Sequence, residues 1–389
     1  MQFTKEQRVI AENIKTLKHA AGSHSPSILT LTQQIPNLTI NIDACFLSNP
    51  YATDLFMDYM KHDLISTQSI RNVLEFYPSQ NDVIAEILAQ RLGIDKEYLF
   101  IGNGAIEVIQ AILHNFVEHK IIVNIPTFSS YYEFSNSKTE VVFYQLEKDK
   151  NFMLDISSYI EFVKTQKPQS IVIINPNNPN GGYIPYEDLR TIIANLPEVE
   201  NIIIDESFLH FAFEDDEYKF ISYRTLFSEF PNVILIKSMS KDFGIAGIRA
   251  GYGVMARNKV SKLLNNGYLW NSNGLSEYFF RLYAQDTFTN KYENVRKLYI
   301  QQTQDFFMRL SQIPQLKVYP SKANFALVEI LDWKEDLDFV MAMLIRYGVY
   351  IRTCSDKVGL NESFIRLASR SKSENNQIIQ ALADIFRYT

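Results

Sequence analysis

Seven short apolar runs recur between residues 98 and 255, at 98–102, 121–125, 141–146, 171–175, 201–205, 232–237 and 250–255, each bounded by turn residues. Several are apolar at nearly every position. Strict alternation marks a strand with one wet face, whereas a continuous run marks a strand buried on both. Between the runs lie stretches with helical spacing, at 105–117, 155–165, 186–195 and 223–229. This alternation predicts the α/β class: a mostly parallel seven-stranded sheet covered by helices on both faces, with ligands beyond the carboxyl ends of the strands. From about residue 275 the pattern changes. A long helical stretch (276–313) precedes β-like runs at 325–329 and 349–352 with a helix between them, which predicts a smaller α+β unit. The expected division is an N-terminal arm over 1–50, a large domain over 51–274 and a small C-terminal domain over 275–389.

With 389 residues, 46% of them hydrophobic, the chain has material for a large core. Its 38 basic and 44 acidic residues leave a net charge of −6, which argues against nucleic acid or an anionic membrane as partner. An anionic ligand must then be held locally, by arginines or helix ends. Cys45 and Cys354 are the only cysteines and form no CxxC pair or His/Cys cluster, so neither a disulfide framework nor a metal is expected, and the cytoplasm is the expected compartment. There is no apolar run of about 18 residues, and the polar residues 1–16 lack the apolar core of a signal peptide; no membrane span is expected.

Chemistry gathers at the predicted strand ends. Lys241 follows Asp205 by 36 positions and lies in the run Ser238-Met239-Ser240-Lys241-Asp242-Phe243-Gly244-Ile245-Ala246-Gly247-Ile248-Arg249. A lysine amine condenses with an aldehyde cofactor when burial and neighbouring cations lower its pKa; without such neighbours it is an ordinary solvated surface group. The hydroxyls of Ser238 and Ser240 and the fork of Arg249 suit a phosphate. Asp205, ending a strand, either pairs with a protonated pyridine nitrogen or caps the next helix. Together these residues read as a site for pyridoxal phosphate. Asn178, in the turn cluster Asn175-Pro176-Asn177-Asn178-Pro179-Asn180-Gly181-Gly182, can aim an amide donor at a phenolate oxygen. Gly102-Asn103-Gly104-Ala105-Ile106-Glu107 joins a strand to a helix whose first N–H groups form an anion site. Phe128 can stack on a planar ring or pack in the core. Arg352 and Arg366 each adjoin an apolar run, as clamps for acidic groups or as surface ion pairs.

In their order and spacing these blocks resemble the fold-type I, pyridoxal-phosphate-dependent aminotransferase superfamily, from about Asn49 to Arg366. Within it the chain is similar to the group of histidinol-phosphate aminotransferases and threonine-phosphate decarboxylases. The resemblance implies that Lys241 is the catalytic lysine that carries the cofactor, that Asp205 partners the pyridine nitrogen, that Asn178 binds the ring oxygen and that Phe128 stacks on the ring. Gly104, Ala105, Ser238, Ser240 and Arg249 would hold the cofactor phosphate, joined by Tyr77 from the second subunit of a homodimer. Arg352 and Arg366 would bind the acidic groups of the substrate, and Asn49 and Tyr51 would belong to a loop that covers it. Two positions depart from the aminotransferase pattern. Ile106 stands where an acidic residue is common, which leaves backbone contacts alone at that point. Phe208 stands where transaminases usually carry a tyrosine whose hydroxyl reaches the ring oxygen; the phosphothreonine decarboxylases have a similar Asp-Glu-x-Phe run. His210 and Trp270-Asn271-Ser272-Asn273 match no known role. The expected activity is decarboxylation of a small phosphorylated amino acid, phosphoserine or phosphothreonine, with transamination of a small phosphorylated substrate as the alternative. A sensor module of a transcription regulator is disfavoured, since no DNA-binding helix pair precedes the fold and the lysine is intact.

Overall fold

A computed structural model describes residues 3–333 and 335–387 of the chain. In chain order its strands are β1 (Ile42–Ala44), β2 (Leu99–Asn103), β3 (Lys120–Ile125), β4 (Glu140–Gln145), β5 (Ser170–Ile174), β6 (Asn201–Asp205), β7 (Val233–Ser238), β8 (Ala250–Val254), β9 (Leu316–Val318), β10 (Phe325–Ile330), β11 (Val349–Thr353) and β12 (Phe364–Ala368). The seven apolar runs are β2 to β8. They form one sheet in the order β2-β8-β7-β6-β5-β3-β4, in which β8 is antiparallel to both neighbours and the other pairs are parallel.

β5, β6 and β7 are buried at every position, because alternate residues feed two separate cores. Val172, Ile174, Ile203, Ile234 and Ile236 pack beneath the helix Ala105–Phe116, through Val108, Ile109 and Ile112. Ile171, Ile173, Ile202, Ile204 and Leu235 face the other way, against Leu189 and Ile192 of the helix Tyr186–Ala194 and Leu226 of the helix Arg224–Glu229.

The second sheet has the order β1-β11-β12-β10-β9, with β1 parallel to β11 and the rest antiparallel. Its core unites Ile351, Ile365 and Val328 with Phe339 of the helix Asp336–Tyr347 and Leu382 of the helix Lys372–Arg387. The N-terminal segment joins this unit: β1 supplies an edge strand, and the helix Lys5–Ala20 lays Ala11 and Ile14 against Met341 and Leu344. The stretch 276–313, expected as one helix, is two, Gly274–Tyr283 and Asp286–Leu310, separated at Gln285, whose backbone is extended (φ −88°, ψ 130°). Neither proline nor glycine marks the break. It lets Tyr283 and Phe288, on either side, both reach Phe243, with ring centroids 5.2 and 6.2 Å away. Among the described residues no helix is long and apolar enough to cross a membrane, and no group of side chains could hold a metal ion.

Candidate active site

The parallel direction of β2, β5, β6 and β7 brings their carboxyl ends to one edge of the large sheet, and antiparallel β8 begins there. At this edge a cavity of about 260 Å³ opens, and Lys241 and Asp205 line it. Lys241 sits three residues past the end of β7, and its carbonyl accepts a bond from Asn49 N at 2.9 Å. Burial, reinforced by the positive charges of Arg366 and Arg249, lowers its amine to about 8. An amine so depressed has a substantial neutral, nucleophilic fraction near physiological pH.

Asp205 ends β6 with its carboxylate held from two sides. Ser207 N donates to Oδ1 at 2.9 Å and the Tyr131 hydroxyl to Oδ2 at 2.8 Å. Burial raises this carboxyl, and the two donors together with Lys237 oppose the rise. A carboxylate fixed in this way suits a cationic ring nitrogen.

The phosphate end is built by close backbone approach. Gly104, at φ +77°, precedes the helix that Ala105 opens, and a Cβ there would stand 2.6 Å from Arg249 Nη2. A Cβ on Gly251 of β8 would meet Ala105 N at 2.5 Å. The helix start, Arg249 and the buried hydroxyls of Ser238 and Ser240 are thereby packed around one corner of the cavity, which Ala105 and Ile106 also line. Phe128 and Phe208 supply aromatic walls, and Phe208 packs edge-on against Phe325 at 5.0 Å.

Register in the second sheet brings the two arginines together: Arg352 on β11 lies directly opposite Arg366 on β12. Like charges across a ladder are destabilising unless anions compensate them, and Asp356 does so for Arg352. Arg366 Nη1 donates to Asn178 Oδ1 at 2.7 Å and Nη2 to the Cys45 carbonyl at 2.7 Å, while its buried Nε has no hydrogen-bond partner among the described residues. With its oxygen occupied, Asn178 has its amide Nδ2 to offer. Arg352 is more heavily engaged, by Thr353, by Asp356 at 2.5 Å and by the Ser23 carbonyl at 2.8 Å.

Four predicted site residues, Gly104, Asn49, Tyr51 and Tyr77, lie outside the cavity lining. Asn49 caps the helix Pro50–Met60, its Oδ1 accepting from Tyr51 N and Ala52 N at 3.1 and 3.3 Å, so the segment expected as a covering loop starts a helix. The Tyr51 hydroxyl donates to Gln302 at 2.6 Å. Tyr77 is 96% exposed. Conversely, Ser23, His24 and Ser25 of the N-terminal segment line the cavity, as do Cys45, Ser207 and Lys357. Lys357 Nζ donates to the Ser23 carbonyl at 3.2 Å, beside Arg352. Lys357 carried a sequence signal, as a second cation five positions beyond Arg352; Ser23-His24-Ser25 carried none, because more than 300 residues separate it from the arginine it meets.

An amine-bearing lysine, a strand-end carboxylate, a free amide donor and a phosphate cradle fit pyridoxal phosphate, and they define a fold-type I enzyme of that cofactor. Residues 47–382 match the family model "Aminotransferase class I and II", and the chain belongs to this family of pyridoxal-phosphate enzymes. It is 60% identical to an L-serine phosphate decarboxylase of Campylobacter jejuni over 98% of both chains, and 43% identical to an L-serine phosphate decarboxylase of Sulfurospirillum multivorans over 99% of this chain and 97% of that one. A solved structure of a decarboxylase from Sulfurospirillum multivorans superposes with a TM-score of 0.92 at 43% identity, covering 98% of this chain and 99% of that one. The histidinol-phosphate aminotransferase of Clostridium acetobutylicum is more distant, at TM-score 0.77 and 26% identity over 90% of this chain and all of that one.

Proposed function

We propose that the chain decarboxylates phosphoserine with pyridoxal phosphate, releasing CO₂ and the phosphorylated amine. The observation that carries this reading is the buried pair Arg352 and Arg366, set opposite each other beside an intact Lys241 in a chain so similar to L-serine phosphate decarboxylases. When bound, the cofactor supplies an aldehyde for the substrate amine and a ring that withdraws electron density from Cα. Lys241 would anchor it, Asp205 would pair with the ring nitrogen, Asn178 Nδ2 would donate to the ring oxygen and Phe128 would cover a ring face. Ser238, Ser240, Arg249 and the backbone N–H groups of Ala105 and Ile106 would hold the phosphate, whereas the Gly104 N–H, expected to join them, donates to the Gly102 carbonyl at 2.8 Å. Phe208 brings no hydroxyl to the ring oxygen.

Arg366, through its unpartnered Nε, takes the substrate carboxylate, and Arg352 with Lys357 takes the substrate phosphate. Anchoring two anionic groups at separate points fixes rotation about Cα, and that orientation selects which of its bonds breaks. After CO₂ leaves, Cα must regain a proton. Lys241, with its amine lowered to about 8, can hold and return one near neutral pH.

The working unit is a homodimer in which Tyr77 reaches the partner's cofactor phosphate. Its support is an exposed apolar face on which Tyr77 stands with Leu74 and Phe76. The cytoplasm is the compartment that suits two unpaired, buried thiols, Cys45 and Cys354.

Incubating the loaded enzyme with phosphoserine and no oxo-acid acceptor should yield CO₂ and phosphorylated amine in equal amounts over many turnovers. A product that keeps its carboxylate, with the cofactor left in its amine form, would overturn the reading in favour of transamination.

A further inference from the structure

Next to Lys241, and absent from the cavity lining, stands a cluster of charges in the protein interior. Lys237 Nζ lies 2.6 Å from Asp242 Oδ2, and His210 Nδ1 lies 2.8 Å from the same oxygen. Lys237 also donates to the Glu206 carbonyl at 3.1 Å, and the Tyr292 hydroxyl sits 3.0 Å from His210 Nδ1. Asp242 is fully buried, Lys237 is 1% exposed and His210 5%. Neither Asp242 oxygen makes a well-directed hydrogen bond among the described residues, so Lys237 and His210 hold Oδ2 as close electrostatic contacts.

A buried ion pair is not needed for stability, since apolar residues of similar volume do as well or better. Here its position is what matters. Asp242 follows Lys241 directly, so holding the Asp242 carboxylate in the interior constrains the direction in which its neighbour leaves the chain. Lys237 lies in β7 and Glu206 follows β6, so the cluster also ties together the ends of the two strands that present Lys241 and Asp205. His210 further lines a second cavity of about 310 Å³.

We propose that Asp242, held by Lys237 and His210, is the positioning residue for Lys241: it aims the lysine into the active site and sets a negative charge behind its amine. The inference rests on Lys241 as the cofactor-bearing residue. The charges acting on Lys241 are Arg366 on β12, Arg249 before β8, Asp205 on β6 and Asp242 itself; the first two favour loss of its proton and the two carboxylates favour retention. Facing Asp242 are Lys237 and His210, with Glu206, Tyr252, Tyr283 and Tyr292 around them. Burial would raise the Asp242 carboxyl, but Lys237 and His210 more than reverse this and hold it at about 2. Burial and the Lys237 charge lower His210 to about 4, so the imidazole is neutral at pH 7 while Asp242 is ionised.

The test is a pH titration of the visible absorbance of the cofactor-loaded enzyme. In Asp242→Asn the midpoint should fall by about one pH unit, and Asp242→Glu should restore it towards the native value. Because Asp242→Asn leaves the Lys237 charge unpaired, the double variant Lys237→Met/Asp242→Asn is titrated beside it; it removes both charges and should fold. Its midpoint should fall as well. A native midpoint in the folded double variant overturns the proposal. Loss of the visible band in Lys241→Ala checks the cofactor-lysine reading separately, so failure of one is distinguishable from failure of the other.

Discussion

Holding a lysine ammonium in a buried position costs folding free energy, and Lys241 puts a scale on that cost. Its amine falls from 10.5 to about 8 in the folded chain, through burial first and then Arg366 and Arg249. Between those two values the unfolded chain binds more protons, so this residue makes the cofactor-free protein more stable as pH rises from about 8 towards 10.5. At pH 7 the ammonium is charged in both states and burying it is unfavourable. Cofactor-free Lys241→Met should therefore be more stable than the native chain at pH 7, by up to about 3 kcal/mol. The advantage should shrink to nothing as pH approaches 10.5, as read by urea unfolding at a series of pH values. An equal gain at every pH would point to better packing of the methionine instead. The same residue-level chemistry was legible in the chain before folding, since a lysine flanked by serines and an arginine needs no tertiary contact to be noticed. The role of Asp242 was not, because a charged side chain in a loop reads as solvated until its partners are known.

At the level of elements, the cofactor cradle depends on how closely β8 approaches the turn before the helix Ala105–Phe116. A Cβ on Gly251 would meet Ala105 N at 2.5 Å and Gly104 C at 2.7 Å, both backbone atoms with little freedom to retreat. Gly251→Ala should push the strand and the helix start apart and weaken cofactor binding by about tenfold or more, measured by absorbance titration of the cofactor-free protein. Unchanged affinity would mean that the turn, not the strand, sets the cradle. The large-sheet strands were readable because doubly buried strands are continuous apolar runs of local sequence. β1 and β9 were not, since three residues carry no period. β12 escaped for another reason: its central Arg366 interrupts the apolar pattern, and that interruption is the residue proposed to take the substrate carboxylate.

The whole molecule adds what neither sheet holds alone. Lys241 and Asp205 come from the large sheet, Arg352 and Arg366 from the small one, and Ser23 to Ser25 from the N-terminal segment that docks on the small unit. Tyr77, exposed on its own chain, is proposed to act in a partner's site. Mixing Tyr77→Ala with Lys241→Ala and allowing subunits to exchange should form hybrid dimers with one native site in two, and so recover about a quarter of native activity per total subunit. No recovery after exchange would place Tyr77 outside the partner's site. The strand order along the chain and the patterns around Lys241, Asp205 and the turn before Ala105 were determined by the sequence itself, because each is a local pattern whose period or neighbours lie within a dozen residues. The tertiary structure decided the pairing of Arg352 with Arg366, the arrival of Ser23 to Ser25 at the cavity and the burial of Lys237 with Asp242 and His210. Each of those depends on sheet register or on the docking of distant segments, and only the folded chain brings these charges close enough to act on one another.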